Sequence, residues 1–142
     1  TVESNFFYAE GGKVDGKDII FNDITYSPDM VLGDDRKGIK ISFKTDTRPI
    51  PSIPKLISNS DLFICESMYG DDLDISKAVK NKHMTFREAA NLARLGHVKN
   101  LVLTHFSPSL GEPNLYKKNA TDVFENTIIG KDRYSISLNF EN

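Results

Sequence analysis

Three features of the sequence predict an α/β layered domain. Short apolar runs alternate with helix-patterned segments, the order expected of strands joined by helical crossovers. One of those runs, Leu62-Phe63-Ile64-Cys65, is compact and wholly apolar, as a strand buried on both faces is, and residues 98–103 read as the next buried strand. Three successive strands stop at a polar residue of catalytic type, Asp46, Glu66 and His105, and open α/β sheets gather their functional groups where strands end.

Each element follows in order. Residues 1–12 hold an aromatic cluster without helical period and read as a strand or lead-in. Asp15-Gly16 has the composition of a tight hairpin turn before a short strand at 19–21. Turn-rich stretches at 27–29 and 33–38 precede Ile39-Lys40-Ile41-Ser42-Phe43, whose alternation is that of a half-buried strand. Pro49, Pro51 and Pro54 break the backbone and leave room for a short helix at 54–58; another helix is expected at 72–80. The next is better marked. Thr85-Phe86-Arg87-Glu88 fits a capping box, Phe86, Ala89, Ala90, Leu92 and Ala93 form an apolar stripe, and Gly96 ends it. After the strand at 98–103 come a loop at 107–113, a helix at 115–124, and strands at 127–129 and 134–140. No repeat, low-complexity tract or separating linker interrupts the chain, so residues 1–142 read as a single domain.

Composition narrows the function. A chain of 142 residues holds one domain with a real core and is too short for two ordinary ones. With 39% hydrophobic and 27% charged residues it is globular in character. The net charge of −2 gives no general attraction to polyanions or membranes, so any such binding has to be local. No apolar run nears the ~20 residues of a membrane span, and no secretory signal opens the chain. The lone Cys65 forms no intramolecular disulfide, which makes a reducing cytoplasm the default. The first residue, Thr1 rather than Met, hints at upstream sequence.

The chemistry is assigned to Asp46, Glu66, His83 and His105. An aspartate and a histidine at neighbouring strand ends suit zinc, which accepts carboxylate oxygen and imidazole nitrogen. A catalytic zinc site takes at least three protein ligands, yet the histidines here are His83, His97 and His105, without H-x-H or H-E-x-x-H spacing or paired cysteines. Either further ligands come from elsewhere or the metal reading fails. His83 precedes a helix N-terminus, and a carboxylate such as Glu66 on one ring nitrogen fixes its tautomer. A histidine so held suits a phosphodiester, neutralising developing charge or protonating a leaving oxygen. Structural roles compete with each assignment: a turn cap for Asp46, a hydrogen-bonded structural histidine for His105, a strand-end ion pair for Glu66, and a residue ahead of the cap for His83. His97 reads as structural, beside the last helix carbonyls, and Cys65 as a buried inert thiol.

Taken in order, Asp46-Thr47-Arg48-Pro49, the strand-end Glu66, the His83-x-Thr85 pair opening a helix, and Leu103-Thr104-His105-Phe106-Ser107 resemble the C-terminal half of tRNase Z. That family, also called ribonuclease Z, comprises endoribonucleases of the metallo-β-lactamase fold. Glu88-Ala89-Ala90-x-x-Ala93, Val98-Lys99-Asn100-Leu101-Val102-Leu103, Pro28-Asp29-Met30-Val31-Leu32-Gly33 and Arg36-Lys37-Gly38 fit as well, so the resemblance runs from residue 27 to the end. It implies the C-terminal half of a four-layer αββα fold, with residues 1–26 a remnant of the arm region or a lead-in. It implies Asp46 as the carboxylate bridging two zinc ions, His105 as a ligand of the second, and His83, held by Glu66, against the scissile phosphate. The implied reaction removes the 3′ trailer from precursor tRNA. The implied partners are precursor tRNA, a second copy in a homodimer, and a missing N-terminal half carrying His-x-His-x-Asp-His; no membrane is involved. Alone, this half should be inactive and should leave one apolar sheet face open.

The chain departs from the family pattern in three places. Lys44-Thr45 stands where Ser-Gly is usual, Cys65-Glu66-Ser67-Met68 where His-Glu-Ala-Thr is common, and Ser109-Leu110 where Arg-Tyr is common. The expected ligands survive these changes; substrate preference is what they bear on. Two other readings stay open: a phosphodiesterase of the same fold with another substrate, and a non-catalytic half-domain serving as an assembly module.

Overall fold

The structure, a computed structural model, describes residues 18–30 and 37–140. The chain divides into two compact units, Thr1–Lys37 and Gly38–Asn142. In the first, β1 (Ile19–Phe21) pairs antiparallel with β2 (Ile24–Tyr26), Phe21 opposite Ile24. The two turn residues, Asn22 (φ 51°) and Asp23 (φ 61°), are both left-handed, as a type I′ hairpin turn demands. The strand expected at 19–21 is present, but its hairpin turn is Asn22-Asp23. The Asp15-Gly16 turn, the aromatic cluster at 1–12 and most of the 33–38 punctuation lie outside the described residues.

The second unit is built on a four-stranded sheet in the order β3 (Ile41–Lys44), β4 (Leu62–Glu66), β5 (Leu101–Thr104), β6 (Thr127–Ile129). All three pairings are parallel, with Ile41 beside Leu62, Phe63 beside Leu101, and Leu101 beside Thr127. Parallel neighbours need crossovers, and helices supply them. They are α1 (Ile53–Leu56), then α2 (Ile75–Asn81) with α3 (Phe86–Leu95), then α4 (Lys117–Thr121).

One face of the sheet carries the core. Phe63 and Cys65 of β4 and Leu101 and Leu103 of β5 pack with Ile53, Ile57, Met84, Phe86, Ala89, Ala90, Leu92, Ala93 and Ala120. Ala89, Ala90 and Ala93 are fully buried, so α3 meets the core through small side chains. Complete burial of Phe63 and Phe86 contributes roughly 1.5–3 kcal/mol each. The opposite face is only partly covered. Ile41 and Phe43 of β3 remain 58% and 63% exposed, while the segment with Tyr134 and Ile136 lies near Leu62, Ile64 and Val102. The alternation at 39–43 therefore marks a strand correctly, yet its apolar side is the open one. Ser42 points the other way and meets Ser60, Oγ to Oγ, at 2.7 Å.

Several boundaries shift. The short helix begins at Ile53 instead of 54, and the 72–80 helix opens with a 3₁₀ turn, Asp72–Asp74. The 115–124 helix resolves into a 3₁₀ turn, Pro113–Tyr116, and α4. Residues 134–140 form no strand: the period-two pattern is there, but no strand among the described residues pairs with it. At the end of α3 the left-handed residue is His97 (φ 51°), whereas Gly96 (φ −82°) is dictated by packing. A Cβ on Gly96 would stand 2.5 Å from Ile57 Cγ1. Among the described residues, no helix is long and apolar enough to cross a membrane.

Candidate metal and phosphate site

The C-terminal ends of β3, β4 and β5 converge. Asp46 lies two residues beyond β3, Glu66 ends β4, His105 directly follows β5, and His83 sits between α2 and α3. Asp46, His83 and His105 each offer a ligand atom, and these atoms all lie within 4.8 Å of one another. His105 Nε2 approaches Asp46 Oδ1 at 3.4 Å, and the rings of His83 and His105 have centroids 5.4 Å apart. Asp46 (φ 38°) and His105 (φ 59°) are both left-handed. Such conformations persist in non-glycine residues when their surroundings over-determine them, and they concentrate at functional sites. Here the loops are tied together: Ser67 N–H donates to the Thr104 carbonyl at 2.9 Å, and Ser107 N–H to that of Met68 at 3.0 Å.

Glu66 is fully buried and anchors the centre. Its Oε1 accepts N–H bonds from Thr47 and Met84, each at 3.1 Å, and lies 3.3 Å from His83 Nδ1. Its Oε2 accepts from Met68 N–H at 3.1 Å. One carboxylate thus ties the loops after β3 and β4 to the approach to α3, and leaves the far nitrogen of His83 for a ligand. The capping box on α3 is complete: Glu88 N–H donates to Thr85 Oγ1 and Thr85 N–H to Glu88 Oε2. Met84 O and Tyr69 O accept from Tyr69 N–H and Phe86 N–H, which pins the segment carrying His83 against β4's loop. Arg48 reaches the same place: Nη1 donates to His83 O at 2.6 Å and to Glu88 Oε2 at 2.8 Å, and Nη2 pairs with Glu88 Oε1.

The electrostatics suit a cation. Thr45 Oγ1 donates to Asp46 Oδ1 at 2.6 Å, and this bond, aided by His105 and His83, holds the Asp46 carboxyl below the usual carboxylate range. Thr45 is one of the departures from the family pattern, so the change brings a donor to the carboxylate. The Asp46 carboxylate oxygen and the His105 imidazole nitrogen, 3.4 Å apart, match the ligand preference of zinc and of other borderline divalent ions, and the free nitrogen of His83 lies beside them. The donor set therefore fits the implied metal. From His105 a cavity of ≈ 440 Å³ runs along the sheet past Thr104, Val102, Ile64 and Leu62. The site thus opens onto the incompletely covered face.

All four residues singled out in the sequence are brought together, and Asp46, His83 and His105 form a tighter group than the separate strand ends suggested. Cys65 stays apart, buried in the core as a free thiol, and His97 is an exposed turn residue. Sequence reasoning missed Arg48 as a contact of His83 and Glu88. Its partner Glu88 lies 40 positions away, so no local spacing reveals the pair.

This layout, a parallel sheet with helices packed on one face and a carboxylate–histidine cluster at the strand ends, is that of a metallo-β-lactamase-fold protein. Among solved structures it is similar to the metallo-β-lactamase fold protein YhfI from Bacillus subtilis, with TM-score 0.60 and 26% identity over 66% of this chain and 38% of that one. It is likewise similar to human tRNase Z, short form (ELAC1), with TM-score 0.56 and 27% identity over 80% of this chain and 36% of that one. The particular resemblance is to ribonuclease Z. The chain is 69% identical over 127 residues to the ribonuclease Z of Clostridioides difficile (strain 630), covering 89% of this chain and 42% of that protein. It is 56% identical over 124 residues to that of Clostridium beijerinckii, covering 87% of this chain and 40% of the relative. The chain therefore spans about 40% of the length of the curated relatives it matches. No protein-family model matches it.

Proposed function

We propose that residues 1–142 are the C-terminal half of a metal-dependent endoribonuclease that removes 3′ trailers from precursor tRNA. The observation that carries this reading is the convergence of Asp46, His83 and His105 within 4.8 Å, in a chain so similar to ribonuclease Z. Asp46 and His105 would hold metal, zinc in the first instance and two ions in the complete site. Bound there, the metal supplies Lewis-acid stabilisation of charge on the phosphoryl oxygens.

The rest falls to the chain's own groups. His83, fixed through Nδ1 by Glu66, presents its other nitrogen to the phosphate. Hydrolysis adds the oxygen of water to phosphorus and breaks the bond to O3′, and the departing O3′ takes a proton that His83 is placed to deliver. The tRNA then ends in a 3′-hydroxyl and the trailer begins with a 5′-phosphate.

This chain supplies one wall of the site. The side chains of Asp46 and His105 are 59% and 42% exposed, and the cavity beside His105 runs onto the open sheet face. The upstream half would bring the remaining ligands and cover Ile41 and Phe43. The working enzyme would be a cytoplasmic homodimer. The test compares the complete protein with this 142-residue chain on precursor tRNA and on small phosphodiesters. The complete protein should cut precursor tRNA at the trailer junction and the isolated chain should not. Cleavage by the isolated chain would overturn the half-site reading, and cleavage of small phosphodiesters alone would reassign the substrate.

A further inference from the structure

We infer that Arg48 is a positioning residue, a latch that holds His83 at the phosphate side of the site from the loop that carries Asp46. The inference rests on the reading that His83 contacts the scissile phosphate. Three separately anchored points fix the short segment His83-Met84-Thr85. Its first carbonyl accepts from Arg48 Nη1 at 2.6 Å, its middle N–H donates to Glu66 Oε1 at 3.1 Å, and its last N–H donates to Glu88 Oε2 at 3.0 Å. Arg48 takes part at both ends, because the same guanidinium grips both oxygens of Glu88.

Arg48 lies two residues after Asp46, and Thr47 between them donates to Glu66. The metal-side loop and the phosphate-side segment are thus joined by one fork and one carboxylate. The Arg48 and Glu88 side chains are only 26% and 21% exposed, so the pair is sheltered from the screening that makes open surface pairs weak. A lysine cannot replace the fork. Its single nitrogen does not meet a carbonyl and two carboxylate oxygens in one plane. Arg48 touches neither metal nor substrate in this scheme and acts through the backbone of His83.

The test uses the complete protein with precursor tRNA, and compares Arg48→Lys, Glu88→Gln and His83→Ala with the two double variants that combine His83→Ala with Arg48→Lys or with Glu88→Gln. Metal content and circular dichroism are measured beside kcat and KM. Misplacement of a reacting group by about 1 Å costs on the order of a hundredfold in rate. Arg48→Lys should therefore lower kcat by about that factor, with metal content and KM nearly unchanged, and should add nothing once His83 is alanine. Glu88→Gln should show the same dependence on His83, and carries the test if Arg48→Lys does not fold. An equal fall in kcat with and without His83 would overturn the latch and leave a merely structural ion pair. So would an unchanged kcat in Arg48→Lys where His83→Ala is impaired. If His83→Ala itself retains full kcat, the phosphate role of His83 fails instead, and the latch loses its purpose with it.

Discussion

Glu66 Oε1 stands 3.3 Å from His83 Nδ1, and the same oxygen holds the N–H groups of Thr47 and Met84. The carboxylate is fully buried and acts only as an acceptor, so its two oxygens are matched to four donors. Glu66→Gln replaces one of those oxygens with an NH₂ group that faces donors. The variant should lose about 1–3 kcal/mol of stability, as a buried polar group left without a partner does. Urea unfolding of the 142-residue chain measures it, and a change below about 0.5 kcal/mol would show that the loops are held by other contacts.

The capping box gives a second expectation. Thr85 is buried and bonds the N–H of Glu88 at the start of α3. Thr85→Ala should cost about 1 kcal/mol, while Thr85→Ser keeps the oxygen and most of the stability. Thermal unfolding of the two variants side by side distinguishes them.

Gly96 and His97 should respond in opposite ways. Gly96→Ala drives a Cβ into Ile57, and overpacking of this kind costs typically 1–3 kcal/mol. His97 is exposed and already left-handed, a conformation glycine adopts freely. His97→Gly should change stability by less than about 0.5 kcal/mol. Denaturant midpoints for both variants check the contrast.

Cys65 predicts an alkaline weakness. Burial in the core, reinforced by the charge of Glu66, pushes its thiol far above the ordinary range. The unfolded thiol ionises near ~8.5 and the folded one stays protonated, so the folded state binds more protons above that pH. This group's contribution to stability therefore declines as pH rises past ~8.5, by up to about 1.4 kcal/mol per unit. Cys65→Ala should be less stable at neutral pH and show a shallower alkaline slope. In the native chain the thiol should also resist alkylation until denaturant is added.

The strand ends were legible in the sequence for a physical reason. Buried parallel strands are apolar throughout, so the polar residues that close each run, Glu66 after Cys65 and the Thr104-His105 pair after Leu103, are conspicuous. The α3 cap was legible because its two partners are three residues apart. Other features have no local signature. Alternation in β3 gives its period but not which side is buried, so Ile41 and Phe43 proved exposed. Alternation at 134–140 gives a strand only where a neighbour offers its hydrogen bonds. Arg48 depends on Glu88, forty positions on, and only the fold brings the two together. The left-handed backbone at Asp46 and His105 is likewise a product of the loops that cross there.

The central claim, one wall of a metal site with Asp46 and His105 as ligands, is tested most directly by His105→Ala in the complete protein. Metal content by elemental analysis and cleavage of precursor tRNA are read on the same sample. The variant should lose about one metal equivalent together with nearly all activity, with circular dichroism unchanged. Full metal content after the substitution would contradict it and return His105 to a structural role.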